Sequence, residues 1–311
     1  MKAPHLTRVL LIGATGFIGS RIFQALQLRD DVLVSILARR PTGLLLEASS
    51  TALFGDVTDP ASVRRAVRHA DAVINAASYV GPDGDIADRV NHLGTLSIIR
   101  ACEIARAGRL VQISTTAVYG SGPHNSLRPG DAEYRPESPA SRSRAAADRA
   151  VIAAGGIVIR PNLVHGAGDR WFIPGAARMF KTLGTTIDSG RAQLSTIDVT
   201  DLGLLAAAAA VEPTAAPGAY HAACQTPLEL GQLLGAISEQ IIPLNIKGTS
   251  TIEDAVRALE PAGFSPHTIN MLGMNHHYES QQLWDLARIP STGFQIAPQA
   301  QTWYRGRLVT A

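Results

Sequence analysis

The sequence RVLLIGATGFIG, residues 8–19, determines how the rest of the chain is interpreted. It begins with a short apolar run that predicts a buried strand, and it ends in an amphipathic pattern that predicts a helix. Its three glycines allow a tight turn, a close approach of the backbone to a pyrophosphate, and close packing of the helix on the strand. Amides at the start of the helix are then available to bind phosphate oxygens. The stretch therefore predicts a dinucleotide-binding turn, with a purely structural glycine turn as the alternative. The residues assigned to it are Gly13, Thr15, Gly16, Phe17, Ile18 and Gly19.

Four further apolar runs follow along the chain, and amphipathic segments separate them. The runs are VLVSILA (32–38), DAVINAA (71–77), RLVQIS (109–114) and GIVIRP (156–161). Short apolar strands that alternate with helices indicate a parallel sheet covered on both faces. The predicted fold class is therefore α/β, with a doubly wound parallel sheet of the Rossmann type.

The later part of the chain is expected to add a smaller C-terminal substrate domain. Residues 1–165 are assigned to an NADP-binding Rossmann domain, to which a segment at about 197–222 returns. Residues 166–196 and 223–311 are assigned to the substrate-binding domain. The Pro- and Gly-rich segment 121–139 predicts a loop over the site.

Composition limits the classes of partner. The 311 residues are 46% apolar and 17% charged, and the formal net charge of +2 gives no reason to expect nucleic acid or a membrane as a partner. Two cysteines, Cys102 and Cys224, have no metal-ligand spacing, so no metal site is predicted. The N-terminal apolar run is too short for a signal core, and a cytoplasmic location is expected.

The end of the second strand bears on the choice of dinucleotide. A protein that binds NAD usually places a carboxylate there, which holds the ribose 2′-hydroxyl. Here the strand ends in Arg39 and Arg40, whose guanidinium groups form charge-assisted bonds to phosphate. The pair predicts NADPH as the cofactor, with an exposed basic strand end as the alternative.

Several motifs occur at the spacing of one family. They are GDVTDP (55–60), NAAS (75–78), VNHLGT (90–95), ISTTAVYG (113–120), IVIRPNLVHGAG (157–168) and TIDVTDLG (196–203). Together with the Gly-x-x-Gly-x-x-Gly turn, they make the chain resemble the extended short-chain dehydrogenase/reductase family over nearly its whole length.

This resemblance implies roles for individual residues. Asp56, with Val57 beside it, would contact the adenine. Thr115 matches the family's catalytic hydroxyl, although it could simply be a residue at a strand end. The residues implied to border the nicotinamide and its ribose are Ala76, Ala77, Ser78, Pro161, Asn162 and Leu163.

The family's catalytic Tyr-x-x-x-Lys pair is missing from this chain. The matching helix carries Ala140 and Arg144 at these positions, and none of the six tyrosines is followed by a lysine four residues later. Arg144 could still hold the ribose hydroxyls. It cannot act as an acid, because the pKa of a guanidinium lies above ~12 and the group keeps its proton at neutral pH. The loss of a general acid costs about 10²–10⁴ in rate.

Three explanations for the missing pair remain open. The protein could be a non-catalytic, redox-sensing regulator that binds NADP. Another residue could donate the proton, and the candidates are Tyr119, Tyr134, His124 and His165. In the third explanation, the substrate activates its own ketone through an adjacent phenol, so that the enzyme only has to position the hydride donor.

Some ketoreductases of aromatic polyketide pathways are extended-family members that lack the pair, and the chain resembles this angucyclinone (simocyclinone) type. The resemblance implies an NADPH-dependent ketoreductase of antibiotic biosynthesis, acting on a bulky aromatic ketone. A nucleotide-sugar epimerase or dehydratase ranks lower, because those reactions also use the Tyr–Lys pair.

The expected substrate contacts come from both parts of the chain. They are Tyr119, Tyr134, His165, Trp171, Phe172 and Met271. The adjacent His276 and His277 are expected at the start of a helix instead of at a metal, because neighbouring residues do not share a helix face.

Overall fold

A parallel sheet of seven strands is the centre of the computed structural model, which describes residues 6–40 and 50–308. Across the sheet the strands are β3 (Ser50–Phe54), β2 (Val32–Ala38), β1 (Thr7–Ile12), β4 (Ala72–Asn75), β5 (Arg109–Ile113), β7 (Ile157–Pro161) and β12 (Gly218–Ala222). The strand order reverses between β1 and β4, and open α/β sheets bind ligands at such a point. The predicted doubly wound α/β fold is confirmed.

Helices cover both faces of this sheet. One face packs against α1 (Phe17–Gln27), α7 (Val199–Val211) and α11 (Gln281–Ala287). The other packs against α2 (Pro60–Val67), α4 (Gly94–Ala105) and α5 (Pro139–Ala153). A short helix, α3 (Gly84–Ala87), continues through a π-helical turn at Asp88–Leu93 into α4. Buried aliphatic side chains thus fill a core on each face.

A separate apolar core, in addition to those on the two faces of the sheet, forms in the C-terminal part of the chain. Its helices are α6 (Phe172–Leu183), α8 (Leu230–Gln240), α9 (Ile252–Leu259), α10 (Pro266–Gly273) and α12 (Pro298–Leu308). Beside them lies a sheet in the order β13 (Leu228–Glu229), β10 (Gln193–Leu194), β15 (His276–Tyr278) and β6 (His124–Leu127). Two strand pairs complete the fold, β8 (Leu163–His165) with β11 (Thr196–Asp198), and β9 (Thr186–Ile187) with β14 (Thr249–Ser250). None of the helices in the described ranges could cross a membrane, since each is too short or too polar.

Three details differ from the sequence-based expectations. The segment 121–139 is not only a loop, because its β6 strand pairs with β15. His276 lies in that strand instead of at a helix start, and its burial alternates with that of its neighbours as a strand requires. Residues of α11 pack into the core of the Rossmann sheet, although they follow the predicted start of the substrate domain.

The packing of α11 into the core of the Rossmann sheet can be tested at Trp284. Its side chain is 1% exposed, and its indole N–H donates to the Ala223 carbonyl at 2.6 Å. Trp284→Ala should lower the free energy of unfolding by about 3–5 kcal/mol, because it leaves a cavity in the Rossmann core. Trp171→Ala is the matched control, since Trp171 is 75% exposed and its loss should change stability little. Urea unfolding of both variants provides the measurement, and equal losses would contradict the assignment.

Candidate active site

The glycine turn brings the start of α1 to the carboxyl edge of the sheet. Gly13 has φ of +88°, and a Cβ there would lie 2.6 Å from the Ala77 amide nitrogen. A Cβ on Gly19 would lie 2.0 Å from the Gly13 carbonyl oxygen. Both positions therefore exclude any side chain, because atoms cannot approach so closely. The result is that α1 begins directly against β1 and β4.

A cavity of about 430 Å³ lies beside this turn, and we call it the glycine-turn cavity. Its lining includes the turn residues Gly13, Thr15 and Gly16, the segment 55–58, and Ala76, Ala77 and Ser78 after β4. Asp56 is held there, because its Oδ1 accepts bonds from the Thr58 amide at 2.9 Å and the Thr58 hydroxyl at 2.8 Å. The sequence assigned Gly13, Thr15 and Gly16 to the pyrophosphate, Asp56 to the adenine, and Ala76, Ala77 and Ser78 to the nicotinamide-side ribose.

The two arginines after β2 differ in position. Arg39 lines the glycine-turn cavity, whereas Arg40 is exposed and is not among its lining residues. Arg89, from the π-helical turn before α4, lines the same cavity. Of the predicted pair, Arg39 therefore borders the cavity, and Arg89 is a second guanidinium there. Sequence reasoning missed Arg89 because nothing in its local pattern separates it from other surface arginines.

A second cavity of about 540 Å³ continues from the first, and we call it the apolar cavity. The two cavities share Gly16, Ala76 and Ser78, so they form one cleft. Most of the other lining side chains are apolar: Phe17, Ile18, Val80, Leu163, Val164, Trp171, Phe172, Met179, Met271 and Leu272. Trp171, Phe172 and Met271 were expected to contact a substrate, and they lie here.

Few polar side chains reach the apolar cavity. Thr115 lines it just beyond β5, and its Oγ1 accepts a bond from the Ala117 amide at 3.2 Å. Its hydroxyl proton is therefore left to donate to a ligand. Arg144 donates from Nε and Nη2 to the Ser78 hydroxyl at 3.0 and 2.5 Å. Burial lowers the pKa of the Arg144 guanidinium, while the charge of Asp148 opposes this shift.

The residues implied to border a nicotinamide divide into two groups. Asn162 and Leu163 line the apolar cavity, but Pro161 ends β7 in a buried position outside the lining. The Asn162 side chain is held on both sides, by the Thr116 hydroxyl at 2.7 Å and by the Ser195 carbonyl at 2.7 Å. Pro161 therefore does not border the cavity itself, whereas the two residues that follow it do.

The expectation that Tyr119 and Tyr134 contact a substrate is corrected by the structure. Neither lines the apolar cavity, because both hydroxyls accept hydrogen bonds from the buried guanidinium of Arg160, at 2.6 Å in the case of Tyr119. Arg160 also pairs with the fully buried Asp148 at 2.9 Å. Burial raises the pKa of both tyrosines, that of Tyr134 to about 12, although Arg160 opposes the shift. Both hydroxyls are thus bonded to Arg160 outside the cavity lining, with Tyr119 buried and Tyr134 half-buried.

The two predicted histidine donors also lie away from the cavity. His165 is fully buried in β8 with its ring against Phe294, and burial lowers its pKa to about 4. His124 bonds to the Tyr278 hydroxyl at 2.9 Å, and burial lowers its pKa as well. Neither is a lining residue, and the expected substrate contact of His165 is therefore corrected too.

The apolar cavity also contains one histidine that was not predicted there from the sequence. His267, on α10, lines the apolar cavity, and its Nδ1 lies 3.1 Å from Glu137 Oε2 and 2.9 Å from Ser121 Oγ. His267 and Glu137 are 130 positions apart, so no local spacing could have paired them. No tyrosine of the described part of the chain lines this cavity.

Comparison with known proteins shows a match between this chain and the model of one protein family. Residues 9–223, more than half of the chain, match the model of the NAD-dependent epimerase/dehydratase family. The dTDP-4-dehydrorhamnose reductase of Mycobacterium tuberculosis is 35% identical over 162 residues, which are 49% of this chain and 48% of that protein. The chain thus spans about half the length of this relative.

A second relative is a ketoreductase by name. The 4-hydroxy-2-methyl-3-oxo-4-farnesyl-3,4-dihydroquinoline-1-oxide ketoreductase of Stigmatella aurantiaca is 26% identical over 215 residues, which cover 65% of this chain and 64% of that protein. Among solved structures, the Bordetella bronchiseptica enzyme WbmH with bound NAD+ has a TM-score of 0.71 at 19% identity, covering 98% of this chain and 99% of that one. That likeness supports the fold.

The buried polar cluster next to the site predicts a dependence of stability on pH. His221 is 1% exposed and bonds to the Tyr119 hydroxyl at 2.8 Å, and burial lowers its pKa to about 3. In the unfolded chain a histidine takes up a proton below pH ~6.5. Between these two values only the unfolded state binds that proton, so acidification should destabilise the fold.

His221→Asn should therefore reduce this loss. Its unfolding free energy, measured in urea between about pH 6 and pH 4, should fall less steeply than that of the wild type, by up to ~1.4 kcal/mol per pH unit. The variant's stability near neutral pH will drop because Tyr119 loses a partner, so the slope is the relevant quantity. Identical slopes would show that His221 does not stay neutral in the folded protein.

Proposed function

Because this chain belongs to the NAD-dependent epimerase/dehydratase family, we propose that it is an NADPH-dependent ketoreductase acting on a bulky, mostly apolar ketone of the aromatic polyketide type. The observation that carries the proposal is the continuous cleft, in which a glycine-turn cavity opens into an apolar cavity that contains Thr115. A hydroxyl at the carboxyl end of a central strand lies where such folds bind the reacting group.

The residues of the glycine-turn cavity fit a dinucleotide. Gly13 and Gly19 exclude side chains from the turn, and the first residues of α1 border the cleft, so backbone amides and the helix dipole favour a pyrophosphate there. Asp56 would hold the adenosine end, and Arg144 with Ser78 would hold the nicotinamide ribose. When bound, the reduced nicotinamide would supply a hydride.

The choice of NADPH rests on charge. Arg39 and Arg89 line the same cavity from two different elements, and the described lining contains one carboxylate, Asp56. That carboxylate follows β3, whereas the end of β2, where NAD-binding proteins place theirs, carries Arg39. Two guanidinium groups suit a 2′-phosphate, because they bind it through charge-assisted bonds.

The lining of the apolar cavity favours a ketone with a large apolar body. Its volume is within the range of about 300–1,000 Å³ that small-molecule sites occupy. Its wall of Leu163, Met179, Met271 and Leu272 offers few donors to a sugar or a second phosphate. The Stigmatella relative is named for a ring ketone that carries a farnesyl chain, which supports the same class of substrate.

Two other functions are less well supported. Nucleotide-sugar epimerisation or dehydration uses the Tyr–Lys pair in this family, and this chain has Ala140 and Arg144 at those positions. A regulator that only binds NADP would use the part of the apolar cavity near Asn162 and Leu163, but it would have no need for the apolar wall around Met179 and Met271. The chain resembles the angucyclinone-type ketoreductases, which also lack the Tyr–Lys pair.

The proposal is tested by turnover. Purified protein with NADPH should oxidise the cofactor when polycyclic ketones flanked by a phenol are added, and the corresponding secondary alcohol should form in equal amount. A sugar panel of dTDP- and UDP-linked 4-keto hexoses serves as the comparison. Absence of NADPH oxidation with every ketone, together with tight NADPH binding, would favour the regulator.

The cofactor preference is tested by two neighbouring arginines. Arg39→Gln should weaken NADPH binding at least about tenfold and leave NADH binding almost unchanged, since hydrogen bonds to charged groups contribute about 1.5–3 kcal/mol. Arg40→Gln, which changes an exposed residue outside the cavity lining, should alter the preference less. Calorimetry with both cofactors measures this, and equal affinities of the wild type for NADPH and NADH would reject the assignment.

A further inference from the structure

His267 is the one histidine that lines the apolar cavity among the described residues. It is the second residue of α10, and it shares the cavity with Thr115 and Arg144. The histidines and tyrosines that the sequence offered as proton donors do not line this cavity. His267 therefore borders the space that would hold the ketone, whereas those residues do not.

The hydrogen bonds of His267 fix which ring nitrogen carries a proton. Glu137 Oε2 can only accept, and it already receives the Ser121 hydroxyl proton at 2.7 Å. Nδ1 must consequently be the donor in its contacts of 3.1 Å to Glu137 and 2.9 Å to Ser121. Nε2 makes no hydrogen bond within the described ranges of the chain, so it is the nitrogen that remains for a ligand in the cavity.

Glu137 is held in its charged form. Partial burial would raise the pKa of its carboxyl group, but hydrogen bonds from the Ser121 hydroxyl and amide, and the nearby His267, outweigh burial and lower it. A carboxylate bonded to Nδ1–H orients a histidine ring, as it does in catalytic triads. Glu137 and His267 form this carboxylate–histidine pair, and Ser121 contacts both of them on the Nδ1 side.

The exposure of this set argues for chemistry more than for support. The side chains of His267 and Glu137 are 30% and 46% exposed, and ion pairs at this exposure add little to stability. An imidazole with contact to solvent can, however, regain a proton from water after each turnover. A role that only fastens α10 to the Rossmann domain would not need this access.

We propose that His267 donates the proton that the missing tyrosine would have supplied, and that Glu137 is the positioning residue that orients the ring. The inference rests on the proposed ketoreductase function and names the acid for it. When bound, the reduced nicotinamide would supply a hydride with its electron pair to the carbonyl carbon and would itself be oxidised. The π pair of the C=O bond moves to oxygen. That oxygen takes the proton from Nε2, which leaves a neutral imidazole and an alcohol, and water returns the proton to the ring.

Other charged groups define the environment of His267. Arg144 on α5 and Asp169 before α6 line the same cavity. The Asp169 carboxylate is bound by the Tyr304 hydroxyl at 3.0 Å and by three backbone amides. His276 on β15 is close enough to interact with His267, and burial lowers its own pKa to about 4, so it stays neutral. The neighbouring α9 carries exposed Glu253, Asp254 and Arg257. Glu137 is thus the anion that bonds directly to the ring.

The experiment compares His267→Gln with the wild type on a ketone that the wild type reduces. With saturating NADPH, the variant should lose about 10²–10⁴ in kcat/KM, the usual cost of a missing general acid. NADPH affinity and thermal unfolding should be unchanged. The pH profile of kcat/KM should differ between the two proteins, because the variant has no imidazole in the cavity.

Two further variants separate chemistry from structure. Glu137→Gln should cause a smaller loss, in kcat and not in KM, because the ring loses the partner that orients it. Free imidazole should restore part of the turnover of His267→Ala, which a merely structural role would not allow. His92→Gln is the matched control, since His92 pairs with Asp88 at 3.0 Å on the surface and does not line the cleft.

The outcomes distinguish this inference from the function beneath it. If the wild type reduces the ketone and folded His267→Gln keeps a rate within a factor of two at every pH, the assignment of the acid is overturned and the ketoreductase stands. Loss of turnover on methylating the phenol next to the ketone, in that same case, would favour activation by the substrate. If the wild type reduces no ketone at all, both the function and the acid fall.

Discussion

The close docking of α1 against β1 and β4 is the constraint on which the whole site depends. It exists because Gly13 and Gly19 have no side chains where a Cβ would lie 2.6 Å from the Ala77 amide nitrogen and 2.0 Å from the Gly13 carbonyl oxygen, respectively. A helix held this close to the sheet begins at its carboxyl edge. Gly16, Ala76 and Ser78 then belong to both cavities at once, and a single ligand could extend from one to the other.

A buried ion pair explains why the tyrosines are unavailable at the site. Asp148 on α5 and Arg160 on β7 are almost fully buried, and such charges are stable only when their remaining hydrogen-bonding groups are satisfied. Tyr119 and Tyr134 supply two of the acceptors that the Arg160 guanidinium needs. The same segment that should carry a catalytic pair is therefore stabilised by polar residues that face inward. The polar side chains that line the apolar cavity include Thr115, Arg144 and His267, but neither tyrosine.

Two packed units contribute different chemistry to one cleft. The Rossmann sheet provides the glycine turn, Thr115 and Arg144, while α6 and α10 provide Met179, Met271 and His267. Each unit also receives one element from the other part of the chain. Strand β6 pairs in the smaller sheet, and α11 packs on the larger one. The apolar wall and the polar groups are consequently fixed relative to each other by the cores, and a shift of either unit would separate them.

The sequence by itself determined the parallel sheet, the glycine turn and the absence of the Tyr–Lys pair, because each depends on a few adjacent residues. It also predicted nine of the eighteen residues that line the glycine-turn cavity, through the glycine turn, the strand ends and the family resemblance. Only the tertiary structure decided that Arg89 lines this cavity and Arg40 does not. It likewise placed Tyr119 and His165 in the interior, and His267 against a carboxylate 130 positions away. The physical reason is that periodicity reports which face of an element is buried, whereas hydrogen-bond partners and the burial of polar groups follow from how distant segments pack together.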